Sequence, residues 1–308
     1  MPANRRANRS IWPSDTLGFL LKLLARLPLR WLHRLGALLG WLVYFASPRY
    51  AARLRENLER SGVCADAAAC RRLLRQTIAE AGKGAAELPA VWLKPQDEAL
   101  ALMRRVHGWE HVEAALARGK GIIFLTPHLG CFEITSLYYA ARHPITVLYR
   151  PPKLRCLQPL LETGRQRGQV TLAPTDMSGV KALLKALKRG EAAGILPDQT
   201  PGNGEGVWAR FFGRPAYTMT LAARLARSSG ATVILAYAER LARGEGYALW
   251  LEPLAGEWPA EPANAANFLN RAIEELIRKL PEQYLWSYNR YKTPRGAEPP
   301  PQNLTAMP

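Results

Sequence analysis

Short apolar runs alternate with segments of helical periodicity over most of the chain beyond residue 48. Runs rich in β-branched and aliphatic residues predict strands, and they lie at 121–126, 145–150, 169–173, 193–197, 231–237 and 247–252. Between them, stretches such as 179–190 and 267–283 carry apolar residues at helical spacing with lysine or arginine on the other side. Strand and helix in alternation predict an α/β fold with a largely parallel central sheet flanked by helices, which binds its ligands at the carboxyl ends of the strands.

The first 48 residues follow a different pattern. Residues 17–46 are dominated by leucine and tryptophan, and Lys22, Arg26, Arg30 and Arg34 recur every four residues, which predicts a basic stripe along one helix face. The longest uncharged run has 14 residues, fewer than the roughly 20 that a spanning helix needs. We therefore predict an amphipathic segment lying on a membrane surface. An ordinary core helix and a signal peptide are the alternatives.

A proline at position 28 is expected to break or kink this helix. We divide the chain into residues 1–48, the membrane-associating segment, residues 49–293, an α/β domain, and residues 294–308, a tail rich in proline that is predicted to be disordered.

Charge changes the picture of possible partners. The formal net charge is +17, so an anionic partner is expected, such as a membrane surface, an acidic protein or substrate, or a nucleic acid. Residues 1–60 hold eleven lysines and arginines against three acidic residues, which places nearly half of the excess there. The four cysteines form no CxxC pair and predict neither a disulfide framework nor a zinc site, but a reducing compartment.

Candidate chemistry is concentrated at the end of the first predicted strand. Pro127 stops this strand, and His128 follows at the turn into a predicted helix that carries Glu133 in its first turns. A carboxylate that reaches one imidazole nitrogen raises the basicity of the other, which then accepts a proton from a hydroxyl group. The alternative is a histidine that caps the helix and a glutamate that faces solvent. Cys131 is read as a small buried residue rather than a nucleophile.

Histidines also occur in HGWEH, residues 107–111, which matches the H-x-x-E-H order of a zinc peptidase family. A glycine inside the would-be helix makes this match weak, so no metal site is predicted.

The chain resembles the late acyltransferases of lipid A biosynthesis, within the wider lysophospholipid and glycerolipid acyltransferase superfamily. The resemblance extends to residue 293 and rests on four motifs in order: GKGIIFLTPHLGCFE, LYRPPK, GILPDQTPGNGEGVWARFFGRPAYT and PEQYLWSYNRYK. It implies transfer of a fatty acyl chain from acyl carrier protein to a hydroxyl of a lipid A precursor, without a cofactor, on the cytoplasmic face of the bacterial inner membrane. It also implies that His128 is the general base and Glu133 its partner. Pro127 and Phe132 depart from the residues that many members carry at these positions.

Other motif residues are predicted to bind substrate. Arg150 ends a strand on the edge that carries His128 and is expected to bind a phosphate or the thioester oxygen. Asp198 and Gln199 are expected to hold the sugar or the acceptor chain by hydrogen bonds, Arg214 to bind an anionic headgroup, and Arg290 to face phosphate. A surface cation or a turn cap is the plain structural alternative for each.

Three alternative functions remain open from the sequence. The first is an acyltransferase acting on another inner-membrane lipid, a lysophospholipid or an aminolipid. The glycerol-phosphate branch of the superfamily typically carries an FPEGTRS-like block where this chain reads LPDQTPGNGEG, which favours the lipid A branch. A nucleic-acid-binding protein explains the charge and predicts a basic face away from His128 with no apolar channel beside it; we do not expect nucleic acid as a partner. A membrane scaffold without activity leaves the histidine idle.

Overall fold

Residues 14–151, 158–202 and 204–305 are described by a computed structural model of the chain. Residues 1–13 of the predicted membrane-associating segment, the end of the LYRPPK motif, Cys156 and the last three residues of the tail lie outside the described residues.

Helices and strands alternate after an all-helical start. The helices are α1 (Ser14–Arg26), α2 (Leu29–Ala46), α3 (Pro48–Glu59), α4 (Ala67–Ala86), α5 (Leu88–Leu93), α6 (Gln96–Leu100), α7 (Trp109–Ala117), α8 (Phe132–Ala140), α9 (Gln158–Arg165), α10 (Met177–Lys188), α11 (Leu221–Ser229), α12 (Pro262–Lys279) and α13 (Gln302–Thr305). The strands are β1 (Met103–His107), β2 (Ile122–Leu125), β3 (Ile145–Tyr149), β4 (Val170–Pro174), β5 (Ala192–Ile195), β6 (Gly206–Phe211), β7 (Arg214–Met219), β8 (Thr232–Arg240) and β9 (Tyr247–Pro253).

Within the described chain, seven strands form one sheet in the order β1-β9-β8-β2-β5-β3-β4. The neighbours pair in parallel except β8 and β9, which are antiparallel because a short connection joins them. The predicted α/β fold with a largely parallel sheet is confirmed, and all six predicted strands are present. The sequence did not predict β1 or the β6–β7 hairpin, which forms a separate two-stranded sheet.

Both faces of the sheet are covered, which explains why its central strands read as continuous apolar runs. On one face, Ile123 and Leu125 of β2 pack with residues of α10, α11 and α12. On the other face, Ile122 and Phe124 pack with Val112 of α7 and residues of α8. The carboxyl ends of β2, β5 and β3 therefore meet at one edge between two helical layers.

Pro28 separates α1 from α2, as its fixed φ predicts. Helix α2 crosses α4 at very close range, because a Cβ at Gly36 would lie 2.7 Å from a backbone oxygen of α4 and one at Gly40 only 2.3 Å from another. Its opposite face is exposed and apolar, with Leu38 68% and Phe45 73% exposed. Among the described helices we find none that combines the length and hydropathy required to cross a bilayer.

The expectation that the cysteines take part in no disulfide is wrong for one pair. Cys64, in the connection from α3 to α4, forms a disulfide with Cys70 in the first turn of α4, and their Cα atoms are 5.2 Å apart. Part of the tail contacts β6, since the Trp208 Nε1 donates to the Glu298 carbonyl at 2.9 Å. The disulfide depends on a local chain reversal and the tail contact on packing against β6, and neither can be predicted from amino-acid composition.

Candidate active site

His128 lies in the loop after β2, at the carboxyl edge of the sheet. Its Nδ1 is 2.9 Å from Oδ1 of Asp198, and its backbone N–H donates to Oδ2 of the same carboxylate at 3.0 Å. Because a carboxylate only accepts hydrogen bonds, the ring proton belongs on Nδ1 and the lone pair on Nε2. The Gln199 Nε2 donates to that nitrogen at 3.0 Å.

Asp198 owes its position to the pairing of β5 with β2, because the two strands run parallel and end at the same edge. Its side chain is only 3% exposed. Burial opposes ionisation, but the electrostatic interaction and the hydrogen bonds with His128 hold the pKa of Asp198 below its ordinary value. The residue is therefore a carboxylate at neutral pH and fixes both the tautomer and the orientation of the imidazole.

Glu133 does not contact the imidazole of His128 in the way that the H-x4-E spacing predicted. Its buried carboxylate accepts two hydrogen bonds from the Arg165 guanidinium, one of them at 2.9 Å, and a third from Trp92 Nε1 at 3.1 Å. Helix α8 directs this side chain toward α5 and α9, whereas the imidazole turns toward β5. The predicted pairing is corrected: Asp198, not Glu133, orients His128.

The sequence motifs do not predict Arg165 or Trp92 as partners of Glu133. Burial disfavours the charge on Arg165, but the adjacent Glu133 carboxylate raises the pKa of the guanidinium. The guanidinium carbon also lies 5.4 Å from the ring centre of Tyr149. Both residues come from helices that are remote in sequence, and no local motif marks them.

A cavity of about 560 Å³ opens beside His128. Glu133, Arg150 and Gln199 line it near the carboxyl edge of the sheet, while Phe124, Val147 and Leu251 line its apolar interior. Arg150 is exposed and lines this cavity. The imidazole of His128 thus lies beside an apolar space that is large enough for a hydrocarbon chain.

The buried ion pair of Arg240 and Glu87 holds the loop that carries His128 in place. Arg240 donates to both carboxylate oxygens of Glu87 and, through Nη2, to the Gly130 carbonyl at 2.7 Å. Glu87 also accepts from the Tyr247 hydroxyl at 3.0 Å and lies 3.1 Å from His33 Nε2 on α2. Gly130 has a φ of +62°, and a Cβ there would lie 2.0 Å from a backbone oxygen of β8, so only glycine fits.

The family model described as bacterial lipid A biosynthesis acyltransferase matches residues 10–293. The chain belongs to this family. It is therefore an acyltransferase of lipid A biosynthesis, as the motifs of the sequence predicted.

Several lipid A biosynthesis acyltransferases are similar in sequence to this chain over much of its length. A lipid A biosynthesis lauroyltransferase of Escherichia coli (strain K12) is 30% identical over 279 residues, which cover 90% of this chain and 90% of that protein. A palmitoleoyltransferase of lipid A biosynthesis from the same organism is 27% identical over 274 residues, or 89% of each chain. A lipid A biosynthesis myristoyltransferase from that organism is 24% identical over 196 residues, which cover 62% of this chain and 59% of that protein.

Two predicted substrate-binding residues of the acyltransferase lie away from the cavity. Arg214 is paired with Glu56 at 2.9 Å and lies 3.7 Å from the ring centre of Tyr291. Arg290 is 2% exposed and donates to the Tyr217 carbonyl at 2.6 Å. Both predictions are corrected, because the terminal guanidinium nitrogens of these side chains already bind partners within the protein and hold the β6–β7 hairpin in place.

The acyltransferase has no thiol nucleophile at Cys131, which is 2% exposed. Burial raises the pKa of this thiol well above its ordinary value, so the reactive thiolate is suppressed. The structural interpretation of this cysteine is confirmed. In HGWEH, Gly108 has a φ of +81° and separates His107 from α7, so the two histidines do not share one helix face.

Proposed function

We propose that this acyltransferase moves a fatty acyl chain from an acyl carrier protein thioester to a hydroxyl of a lipid A precursor, with His128 as general base. The observation that carries the proposal is the position of the His128–Asp198 pair beside the apolar cavity. A base, a space for the chain and exclusion of water are what acyl transfer from a thioester requires. No cofactor takes part in this scheme.

In the proposed reaction, the acceptor hydroxyl approaches Nε2 of His128 while the thioester carbonyl lies beside it. Nε2 takes the hydroxyl proton as the oxygen attacks the carbonyl carbon, and Asp198 stabilises the imidazolium that forms. The carbon–sulfur bond then breaks, and the imidazolium returns the proton to the leaving sulfur. An ester and a free carrier thiol are the products.

Glu133 acts in this scheme as a positioning residue. With Arg165 it forms a polar wall of the cavity next to the histidine, and Trp92 donates a hydrogen bond to its carboxylate. Arg150 and Gln199 are proposed to contact the substrates directly, Arg150 at a phosphate or the thioester oxygen and Gln199 at the acceptor.

The donor assignment rests on charge at the cavity. Arg150 and Arg224 are exposed and line it, and acyl carrier protein is acidic, so opposite charges favour the encounter. We expect Arg224→Glu to raise KM for an acyl carrier thioester while leaving KM for a neutral acyl-pantetheine thioester unchanged. Lys120→Glu is the matched control, because Lys120 is exposed before β2 at the opposite edge of the sheet. Equal effects on both donors would argue against carrier recognition at this face.

The membrane assignment rests on α2. Its exposed apolar face and the exposed Arg30 and Arg34 beside it suit an anionic bilayer surface, here the cytoplasmic face of the inner membrane. An acceptor that carries acyl chains stays in that bilayer, so the enzyme must come to it. An apolar cavity beside the histidine also disfavours the nucleic-acid alternative.

The deciding experiment uses purified protein, acyl carrier thioesters and a tetraacylated lipid A precursor, with products identified by mass. We expect His128→Ala to lower the rate by about 10²–10⁴-fold, and His111→Ala, a histidine remote from the cavity, to leave it unchanged. A lysophospholipid offered as a competing acceptor tests the alternative lipid substrate. A folded His128→Ala variant with full activity would refute the base, and exclusive acylation of the lysophospholipid would refute the acceptor.

A further inference from the structure

The cavity beside His128 continues along the sheet face that α7 and α8 cover. Tyr149 of β3 lines it at the carboxyl edge, Val147 lines it two residues below, and Ile145 lines its lower end. Because a strand rises about 3.3 Å per residue, these four steps along β3 correspond to a depth of about 13 Å. An extended hydrocarbon chain fits this shape better than a sugar or a nucleotide does.

The strand register arranges the lining of this deep part in rows. Gly194 of β5 pairs with Phe124 on one side and with Val147 on the other, and Val147 pairs with Leu172. Below this row, Ile145 pairs with Val170. We call the middle row (Phe124, Gly194, Val147 and Leu172) the gate row, and the pair Ile145 and Val170 the floor.

Gly194 is the one member of the gate row without a side chain. A Cβ built on it would lie 3.1 Å from a methyl carbon of Val147 and 3.5 Å from Cδ1 of Ile145. A side chain at this position therefore presses on Val147 and Ile145, two residues that line the cavity, and narrows the passage between the gate row and the floor. Gly194 has no positive φ that would demand glycine, and glycine within a strand costs conformational entropy, so the missing side chain calls for another reason.

We propose that Gly194 determines the length of the acyl chain that the enzyme accepts, because it leaves the passage from the gate row to the floor open. The inference rests on the proposed function, in which the cavity holds the fatty chain of the donor. The ligand of the lower part is then the terminal methylene and methyl groups of a straight acyl chain. A larger side chain at position 194 closes the lower part and restricts the enzyme to shorter chains.

The test measures kcat/KM for decanoyl, lauroyl, myristoyl and palmitoyl carrier thioesters with one lipid A precursor. We expect Gly194→Val to lower the ratio of long-chain to short-chain kcat/KM by about tenfold or more, since one misplaced methylene in an apolar pocket changes selectivity by about 10–200-fold. Gly194→Ala is expected to act in the same direction and more weakly. Val170→Ala removes part of the floor and is expected to shift the preference toward longer chains.

Ala193→Val is the matched control. Ala193 is the next residue of the same strand, is fully buried and packs on the opposite face of the sheet. The Ala193→Val substitution adds two methyl groups to the strand without reaching the cavity, so it reports any loss of activity that comes from strain alone. Its chain-length ratio should equal that of the wild type. Near-ultraviolet circular dichroism and the thermal midpoint establish folding for every variant.

The outcomes separate this inference from the proposed function. A folded Gly194→Val enzyme with the chain-length profile of the wild type would overturn the inference and leave the proposed function intact. If Gly194→Val does not fold, Gly194→Ala and Val170→Ala decide, and unchanged profiles in both would overturn it equally. A wild-type protein that transfers no acyl chain of any length would overturn the proposed function and the inference with it.

Discussion

Replacing Asp198 by Asn is the sharpest test of how the base is held, because it keeps the shape of the side chain and removes its charge. In the wild type, one carboxylate oxygen accepts from the imidazole Nδ1 at 2.9 Å and the other accepts from the His128 backbone N–H at 3.0 Å. Asparagine offers one acceptor oxygen and one NH₂ group. One of the two donors must therefore face another donor.

The site can relieve that conflict by placing the ring proton on Nε2, which removes the lone pair that the reaction needs. An equivalent change in a serine protease triad lowers kcat by about 10⁴-fold. Since Asp198 is similarly buried, at 3% exposure, we expect kcat to fall by about 10³–10⁴-fold, or about 4–5 kcal/mol in the activation free energy. KM should change little, because the carboxylate contacts the base rather than the substrate.

The assay is single-turnover acyl transfer from a carrier thioester to the lipid A precursor, read by mass, with Glu133→Gln as the comparison. Glu133→Gln keeps a hydrogen-bonding side chain beside Arg165 and is expected to cost less than Asp198→Asn. The reverse order, with Asp198→Asn within about tenfold of the wild type and Glu133→Gln nearly inactive, would refute the pairing described here. Thermal unfolding of both variants excludes a trivial loss of fold.

Three further predictions concern stability and the membrane. Burial opposes the charge on Glu87, but the guanidinium of Arg240 lowers the pKa of this carboxyl from 4.5 to about 2. The ionised Glu87 carboxylate therefore stabilises the fold by about 3 kcal/mol above pH 4.5. That stability is lost as the pH falls from 4.5 toward 2, and urea unfolding of Glu87→Gln should show a flatter dependence in this window; equal slopes would contradict the prediction. Gly40→Leu should lower the thermal midpoint, because its side chain meets a backbone oxygen of α4, whereas Gly18→Leu, with open space around it, should not. Leu38→Glu should weaken cosedimentation with anionic vesicles by roughly tenfold, and Met177→Glu, an exposed apolar residue on α10, should leave it unchanged; equal losses would argue against α2 as the membrane face.

The sheet was predictable because its central strands are buried on both faces and so stand out as apolar runs. The sequence of β1, MRRVH, carries charge at the edge of the sheet, where one strand neighbour is enough, and no periodicity marks it. The β6–β7 hairpin turns at Phe212 and Gly213, both with positive φ, and an aromatic residue in that conformation gives no turn signal. Composition and hydrophobic periodicity therefore predict the central strands of the sheet better than its edge strand β1 or the separate β6–β7 hairpin.

The site was predictable in its residue types but not in its pairing. The sequence places His128 and Glu133 close together in the chain, whereas the imidazole pairs with a carboxylate 70 residues away. Alternation of strands and helices predicts a parallel sheet, but it does not say that β5 lies next to β2, and that neighbourhood is what brings Asp198 to the histidine. Arg290 shows the converse: a cation in a motif suggested a phosphate ligand, and burial within the hairpin region provides its partners instead.

The amide of Gln199 occupies the nitrogen of His128 that we assign to proton transfer. An acceptor hydroxyl must displace this amide before it can lose its proton, so arrival of the acceptor and exposure of the base become one event. A water molecule must also displace the Gln199 amide to reach His128 Nε2, but it lacks the binding energy that a lipid acceptor supplies. In the proposed reaction, this hydrogen bond thereby protects the acyl donor from hydrolysis until the acceptor has bound.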